Sequence, residues 1–386
     1  MPDIEQSRRE TMDWPTKSPA PPCLPELAEV LVTLRAEAGD DTGGRPGDSV
    51  LDALRGSGVL RLPVPAEYGG LGADWADANA VITGLARADA SVAIIVFLHY
   101  AAVSRIIAYG SEEQRKRLLT AVARDGRIFA SSWSEPGADA AKQKIATTAV
   151  RQTDGGWELN GAKTFTTGAG VADLYLVLAR TSEEDAAPGS YGRADQGIFV
   201  VDSMRPGFTT DGVLDLSGMR RSATGLIRLE GYLAEAGDAL IHSREAPVVI
   251  GHPHTLGLTL GAVALGIAEE AHDTAVDVGR RRSLLDNPLY RHHVFELGSR
   301  LAAVRGVVES ATRTPGDRTG HALTAKVFGS ETAEVICRGA QELAGSAAFS
   351  RNHSLNRLAQ DARALTLMGP PNYLCRELVT THLGAP

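Results

Sequence analysis

The stretch from Arg127 to Arg180 constrains the fold more than any other part of this sequence. It holds two strings, FASSWSEPGADA (Phe129–Ala140) and WELNGAKTFTTGAGVADLYLVLAR (Trp157–Arg180). Each reads as β-strand, a small polar turn and more strand, and Asp154-Gly155-Gly156 between them is a hairpin signal. Ser131, Ser132, Ser134, Thr166, Thr167 and Gly168 fall at the strand ends. Small and hydroxyl residues there let a flat ring approach the backbone and take hydrogen bonds from it. The same residues also serve turn geometry, and spacing alone leaves both readings open.

Around this segment the pattern is helical. Leu24–Ala38 and Ser49–Arg55 read as helices, the second ending at Gly56. Asp74–Asp89 and Ser91–Tyr109 are longer, and the latter is apolar nearly all round, as a buried helix is. Gly110-Ser111-Glu112-Glu113-Gln114 caps a further helix running to Ala123. Leu174–Ala179, Gly197–Val201 and Gly225–Leu229 are short strands, with a polar loop over Thr181–Asp195. From Ala246 helices return: Thr255–Val278, His292–Thr312, His321–Ala344, Leu355–Met368 and Tyr373–Leu383, a bundle with Ala/Leu/Val/Gly faces.

The 386 residues suffice for two or three units with a shared core. A net charge of −8 argues against a nucleic-acid surface. The three cysteines, Cys23, Cys337 and Cys375, are far apart and lack metal-ligand spacing, which suits reduced thiols in a cytoplasmic protein without a metal. No basic segment followed by an apolar run opens the chain, and Leu256–Ala268 is too short to span a bilayer, so no membrane insertion is expected. Met1–Pro22, polar and proline-rich, reads as a flexible arm.

Ser134-Glu135-Pro136 and Asn160-Gly161-Ala162-Lys163-Thr164-Phe165-Thr166-Thr167, in that order and spacing, resemble the flavin-lining segments of the acyl-CoA dehydrogenase superfamily. Pro65-Ala66-Glu67-Tyr68-Gly69-Gly70-Leu71-Gly72, Ser217-Gly218-Met219-Arg220, Gln341-Glu342-Leu343-Ala344-Gly345 and Asp361-Ala362-Arg363-Ala364-Leu365-Thr366 extend the resemblance to nearly the whole chain. It implies an α+β fold: an N-terminal helical domain (23–125), a middle β-barrel or sandwich domain (126–242) and a C-terminal four-helix bundle (243–386). It also implies a flavin, FAD or alternatively FMN. Carried over residue by residue, Trp133 lies beside the ring, Ser134 approaches its pyrimidine edge, Phe165 flanks it and Thr167 bonds near N5. Arg282, in Gly279-Arg280-Arg281-Arg282, reaches the pyrophosphate of a neighbouring subunit, with Gln341, Gly345 and Ser346 at the same end. Ala140, Leu285 and Ala344 depart from the family's pattern and remove expected FAD contacts.

Relatives oxidise an acyl thioester on CoA or a carrier protein: a glutamate takes the α-proton while a hydride leaves the β-carbon for the flavin. That glutamate falls here on Gly369, in Met368-Gly369-Pro370-Pro371. The alternative family position, near Leu256, holds no carboxylate either; its neighbours are His252 and His254, which titrate near neutrality when unperturbed and also suit a helix-capping loop pair. His99, inside the apolar helix, is a core group or a substrate contact. Three functions stay open. The first is a thioester oxidoreductase with an unusual base or altered reaction, coupled to an electron-accepting flavoprotein and placed in specialised metabolism. The second is a monooxygenase fed by a flavin reductase; the Pro370-Pro371 turn and Leu383-Gly384 ending suit that type. The third is a non-catalytic thioester-binding protein. The resemblance implies a homodimer or homotetramer.

Overall fold

The N-terminal unit holds α1 (Leu27–Glu37), α2 (Asp48–Gly56), α3 (Trp75–Ala88), α4 (Ala90–Tyr109) and α5 (Glu112–Asp125), the last three opened by aspartate or serine caps. The computed structural model describes residue 24 and residues 26–39, 42–182, 192–241 and 245–381. The expected arm over 1–22, Cys23, most of the loop over 181–195 and the Leu383-Gly384 ending lie outside the described residues. Asp74 and Asp89 each accept two backbone N–H groups at the starts of α3 and α4, and Ser111 and Gln114 form a reciprocal capping box on α5. By length and composition α4 could cross a membrane, but 89% of its apolar window is buried inside the protein.

Among the described residues eight strands follow: β1 (Phe129–Ser132), β2 (Thr148–Arg151), β3 (Trp157–Thr166), β4 (Leu174–Arg180), β5 (Gln196–Asp202), β6 (Phe208–Val213), β7 (Gly225–Ala234) and β8 (Ala239–Ile241). The order is β6-β7-β3-β2-β4-β5-β8, with β1 paired parallel to β4. The Asp154-Gly155-Gly156 turn joins antiparallel β2 and β3. β4 is apolar and buried up to its last residue, Arg180, because both its faces are covered. Leu174, Leu176 and Leu178 enter a cluster with α4, α5 and Val249, whereas Tyr175, Val177 and Ala179 enter the larger core shared with the helical units. β6 and β8 have no counterpart in the sequence pattern: β6 is polar and mostly exposed, and β8 has three residues.

The C-terminal unit contains α6 (Ala246–Thr255), α7 (Gly261–Arg281), α8 (Pro288–Arg313), α9 (Thr319–Ala344), α10 (Ser354–Leu367) and α11 (Asn372–Thr380). The helix expected over Thr255–Val278 starts only at Gly261, as α7, and a further helix, α6, precedes it up to Thr255. Gly257 breaks the run at φ 82, and a Cβ there would stand 2.1 Å from the carbonyl oxygen of Ala311. The units are joined by buried polar contacts. Arg87 of α3 and Arg305 of α8 both grip Glu269 of α7, at 3.0 and 2.8 Å. Arg221 binds Asp89 at 3.0 Å and Glu37 at 2.8 Å. The Ser217–Arg220 turn docks on α10, where the Met219 N–H donates to Asp361 at 2.6 Å. Two motifs read separately in the sequence are thus the two halves of one contact.

Candidate active site

The Asn-Gly-x-Lys run on β3 first builds the scaffold. Asn160 accepts the Gly231 N–H at 2.7 Å. Gly161, at φ 151, lies against Thr147, whose Oγ1 a Cβ would approach to 2.5 Å. Lys163 is fully buried and donates to Glu135 at 2.6 Å. The same carboxylate accepts the N–H groups of Ala146 and Thr147. Burial alone pushes Glu135 up, but Lys163 and these donors hold it below the usual carboxylate range. Burial pulls Lys163 down to about 8 against the attraction of Glu135. The Glu135–Lys163 pair therefore staples the Ser-Glu-Pro turn to β3, and the Thr164 N–H adds a bond to the Ser134 carbonyl at 3.0 Å.

Past Lys163 the pairing of β3 with β7 slips, a bulge that re-aims the chain. Phe165 sits at φ 50, a strained conformation for an aromatic residue, with 63% of its surface exposed. Hydroxyls of the neighbouring residues pair with one another. Ser132 Oγ meets Thr166 Oγ1 at 3.0 Å, and Thr167 Oγ1 meets Thr224 Oγ1 at 3.2 Å, itself bonded to Ser222 at 2.7 Å. Trp133, half-buried, lies over the Arg105 guanidinium at 5.3 Å. An exposed aromatic side chain beside paired hydroxyls at the end of β3 suits a flat, polar-edged heterocycle. A flavin ring fits these residues.

His99 is buried, with both ring nitrogens in use. Its Nδ1 accepts the Phe129 N–H at 3.0 Å, so Nε2 carries the proton and donates to the Leu60 carbonyl at 2.9 Å. Burial holds it down to about 4 and keeps it neutral. His252 and His254 stand in the last turn of α6 rather than in a loop. Pro253 cannot donate to the Val249 carbonyl, and Arg105 does so instead, through Nε to Val249 at 2.9 Å and Nη2 to Ile250 at 2.7 Å. The His252 ring packs edge-on to Tyr109 at 5.0 Å. Burial, then the charge of Arg105, holds His252 to about 4. Burial and the charges of Arg105 and Lys326 do the same to His254, against its bond to the Leu258 carbonyl.

Gly369 is exposed, in the turn between α10 and α11. Lys326, buried on α9, donates to the carbonyls on either side of it, Met368 at 3.3 Å and Pro370 at 2.8 Å, and to Asn372 Oδ1 at 2.6 Å. Burial lowers Lys326 to about 8. Arg282 caps the far end of α9, donating to the Ala344 carbonyl at 3.0 Å. This brings Arg282 to Gly345 (φ 77) and Ser346, with Gln341 one turn back on α9. Arg105 and Lys326 were not singled out from the sequence. Each acts through partners distant along the chain, so no local spacing marks it.

Comparison with known proteins follows the same division of the chain. The models of the acyl-CoA dehydrogenase N-terminal, middle and C-terminal domains match residues 26–125, 130–232 and 257–383. An acyl-CoA dehydrogenase of Bacillus subtilis is 27% identical over 338 residues, covering 84% of this chain and 87% of the relative. A 3-sulfinopropanoyl-CoA desulfinase of Cupriavidus necator is 28% identical over 373 residues, covering 92% and 91%. The structure of KijD3 with FMN and a dTDP-linked amino sugar matches with a TM-score of 0.82 at 27% identity, covering 96% of each chain.

Proposed function

We propose that this chain, which belongs to the acyl-CoA dehydrogenase superfamily, is a flavin-dependent oxidoreductase of acyl thioesters on CoA or a carrier protein. Its reaction does not rely on the superfamily's usual carboxylate. The observation that carries this reading is the exposed Phe165, held at φ 50, next in the chain to Thr166 and Thr167, whose hydroxyls pair with Ser132 and Thr224. Trp133, Ser134, Phe165 and Thr167 hold the ring, and Arg282, Gln341, Gly345 and Ser346 meet the phosphates of FAD. The alanines at 140 and 344 and Leu285 withdraw some of those contacts, which keeps FMN as the alternative. The flavin supplies a hydride acceptor that no side chain can provide. The Glu135–Lys163 staple fixes the turn that carries Ser134, and Phe165 shields one side of the ring from water. An electron-accepting flavoprotein is the proposed redox partner. A homodimer or homotetramer is the proposed assembly, supported by exposed Phe295 and Phe328 on α8 and α9.

The test is anaerobic titration of the purified holo-protein with a panel of acyl thioesters. At least one should bleach the oxidised flavin; none doing so refutes the thioester reading. Gly369 favours a second reading, a monooxygenase of the same fold supplied with reduced flavin by a reductase, since such chemistry needs no α-proton base. The likeness to KijD3, seen with FMN and a nucleotide sugar, supports FMN and a ligand other than a thioester. Absence of any oxygenated product with reductase, oxygen and a broad substrate panel refutes it.

A further inference from the structure

Lys142 has no part in the functional reading so far. It lies between the Ser-Glu-Pro turn and β2, buried, with its backbone at φ 61. A lysine takes up that left-handed conformation only where its surroundings hold it. Here its N–H donates to the Asp139 carbonyl at 3.3 Å, and its own carbonyl accepts Gln196 Nε2 at 2.8 Å. The Asp139 carboxylate secures the next residues by accepting the N–H groups of Gln143 and Lys144 at 2.7 and 3.2 Å. The loop thus turns the Lys142 side chain inward, and its Nζ donates to Ser134 Oγ at 2.9 Å.

An ammonium only donates. With one lone pair of the Ser134 hydroxyl taken by a cation, the hydroxyl's own proton must go to another acceptor, and the cation strengthens it as a donor. The carboxylates nearest Lys142 are already engaged, Glu135 with Lys163 and Asp139 with backbone donors. A hydride accepted by a flavin ring leaves one net negative charge, carried chiefly on its pyrimidine edge. We infer that Lys142 acts through Ser134 as a positioning residue that presents a polarised hydroxyl and a positive charge to that edge, and so favours the reduced flavin. The inference rests on the flavin reading above and adds to it a residue that tunes the redox balance.

The test measures the reduction potential of holo-protein against a reference dye for the native chain, Lys142→Met, Lys142→Arg and Ser134→Ala. At a fixed poise, Lys142→Met should lower the ratio of reduced to oxidised flavin about tenfold, about 30 mV for a two-electron couple. Lys142→Arg should keep most of the native ratio. A Lys142→Met protein that retains its flavin at the native potential overturns the inference. Should that variant not fold or lose its flavin, Ser134→Ala cuts the same path while leaving the lysine in place. Its potential should fall as well, and a native value there overturns the inference. A native protein that stays colourless when given FAD or FMN overturns the flavin reading itself, a result separable from both.

Discussion

Removing Lys163 isolates the contact on which the candidate site is built. Its side chain is 0% exposed, Glu135's is 4% exposed, and 2.6 Å separates them. Breaking such a pair from one side costs about 3–5 kcal/mol, because a charge is left buried without its partner. Lys163→Met should fall near 3, since Glu135 keeps the N–H donors of Ala146 and Thr147. Glu135→Gln should fall higher but below about 5. A stranded Lys163 can lose its proton, and the gap between its ordinary 10.5 and pH 7, at about 1.4 kcal/mol per pH step, caps the cost. The double variant should cost about 2 kcal/mol less than the sum of the singles, because neither charge then remains. Unfolding entropy of about 2.1 cal/mol/K per residue makes 3–5 kcal/mol a fall of about 4–6 °C in Tm for a chain of this length. Thermal unfolding of the four proteins at pH 7 reads this directly. Lys163→Met melting within about 1 °C of the native chain, or singles that simply add, would refute the staple.

Other expectations follow from single residues. His99 stays neutral in the folded chain down to about 4, whereas the unfolded chain takes up that proton near 6.5. The unfolded state therefore binds more protons between those values, and stability falls as pH drops through the window, by about 3 kcal/mol for this residue. His99→Gln should flatten the dependence of chemical-denaturation stability on pH over that range, and an unchanged slope counts against it. Arg105→Met leaves the Val249 and Ile250 carbonyls without their donor and should cost about 2–4 kcal/mol. NMR titration of that variant should find His252 above its value of about 4, since one of the two causes of its depression is gone. Gly369→Glu should raise thioester-dependent flavin bleaching by at least about 10²-fold if only the base is missing; no gain in a folded, flavin-bound variant would mean that the substrate is not positioned for proton abstraction at that turn.

The helices were legible because their start signals are local. Asp74, Asp89 and Ser111 cap in the structure where short polar residues precede apolar runs. The strand ends around Ser132 and Thr166 were legible for a similar reason, as hydroxyl clusters bounding apolar alternation. The misread places depend on distant partners. The helix expected from Thr255 starts late, at Gly261, because Gly257 turns the chain against Ala311 of α8, a closeness that no window around residue 257 contains. Pro253 and its flanking histidines look like a loop until Arg105, on α4, supplies the donor that lets a helix continue through them. Glu135 and Lys163 read as parts of two motifs, and only the folded sheet shows that each belongs to the other.

The α10–α11 turn is fastened by a buried cation. Where relatives bring a carboxylate, this chain has a glycine, and the charged side chain fastened to the carbonyls on both sides of it is Lys326. A lysine drawn down to about 8 is still mostly protonated at neutral pH, so the turn is held by a buried cation. Positive charge of that kind stabilises an enolate oxygen or an anionic substrate group, and it cannot take up a proton until it has lost one. His254, neutral for the same reasons of burial and nearby charge, is likewise a poor proton reservoir at pH 7. A buried cation behind a turn that carries a glycine where the family resemblance places a carboxylate supports the altered reaction proposed above.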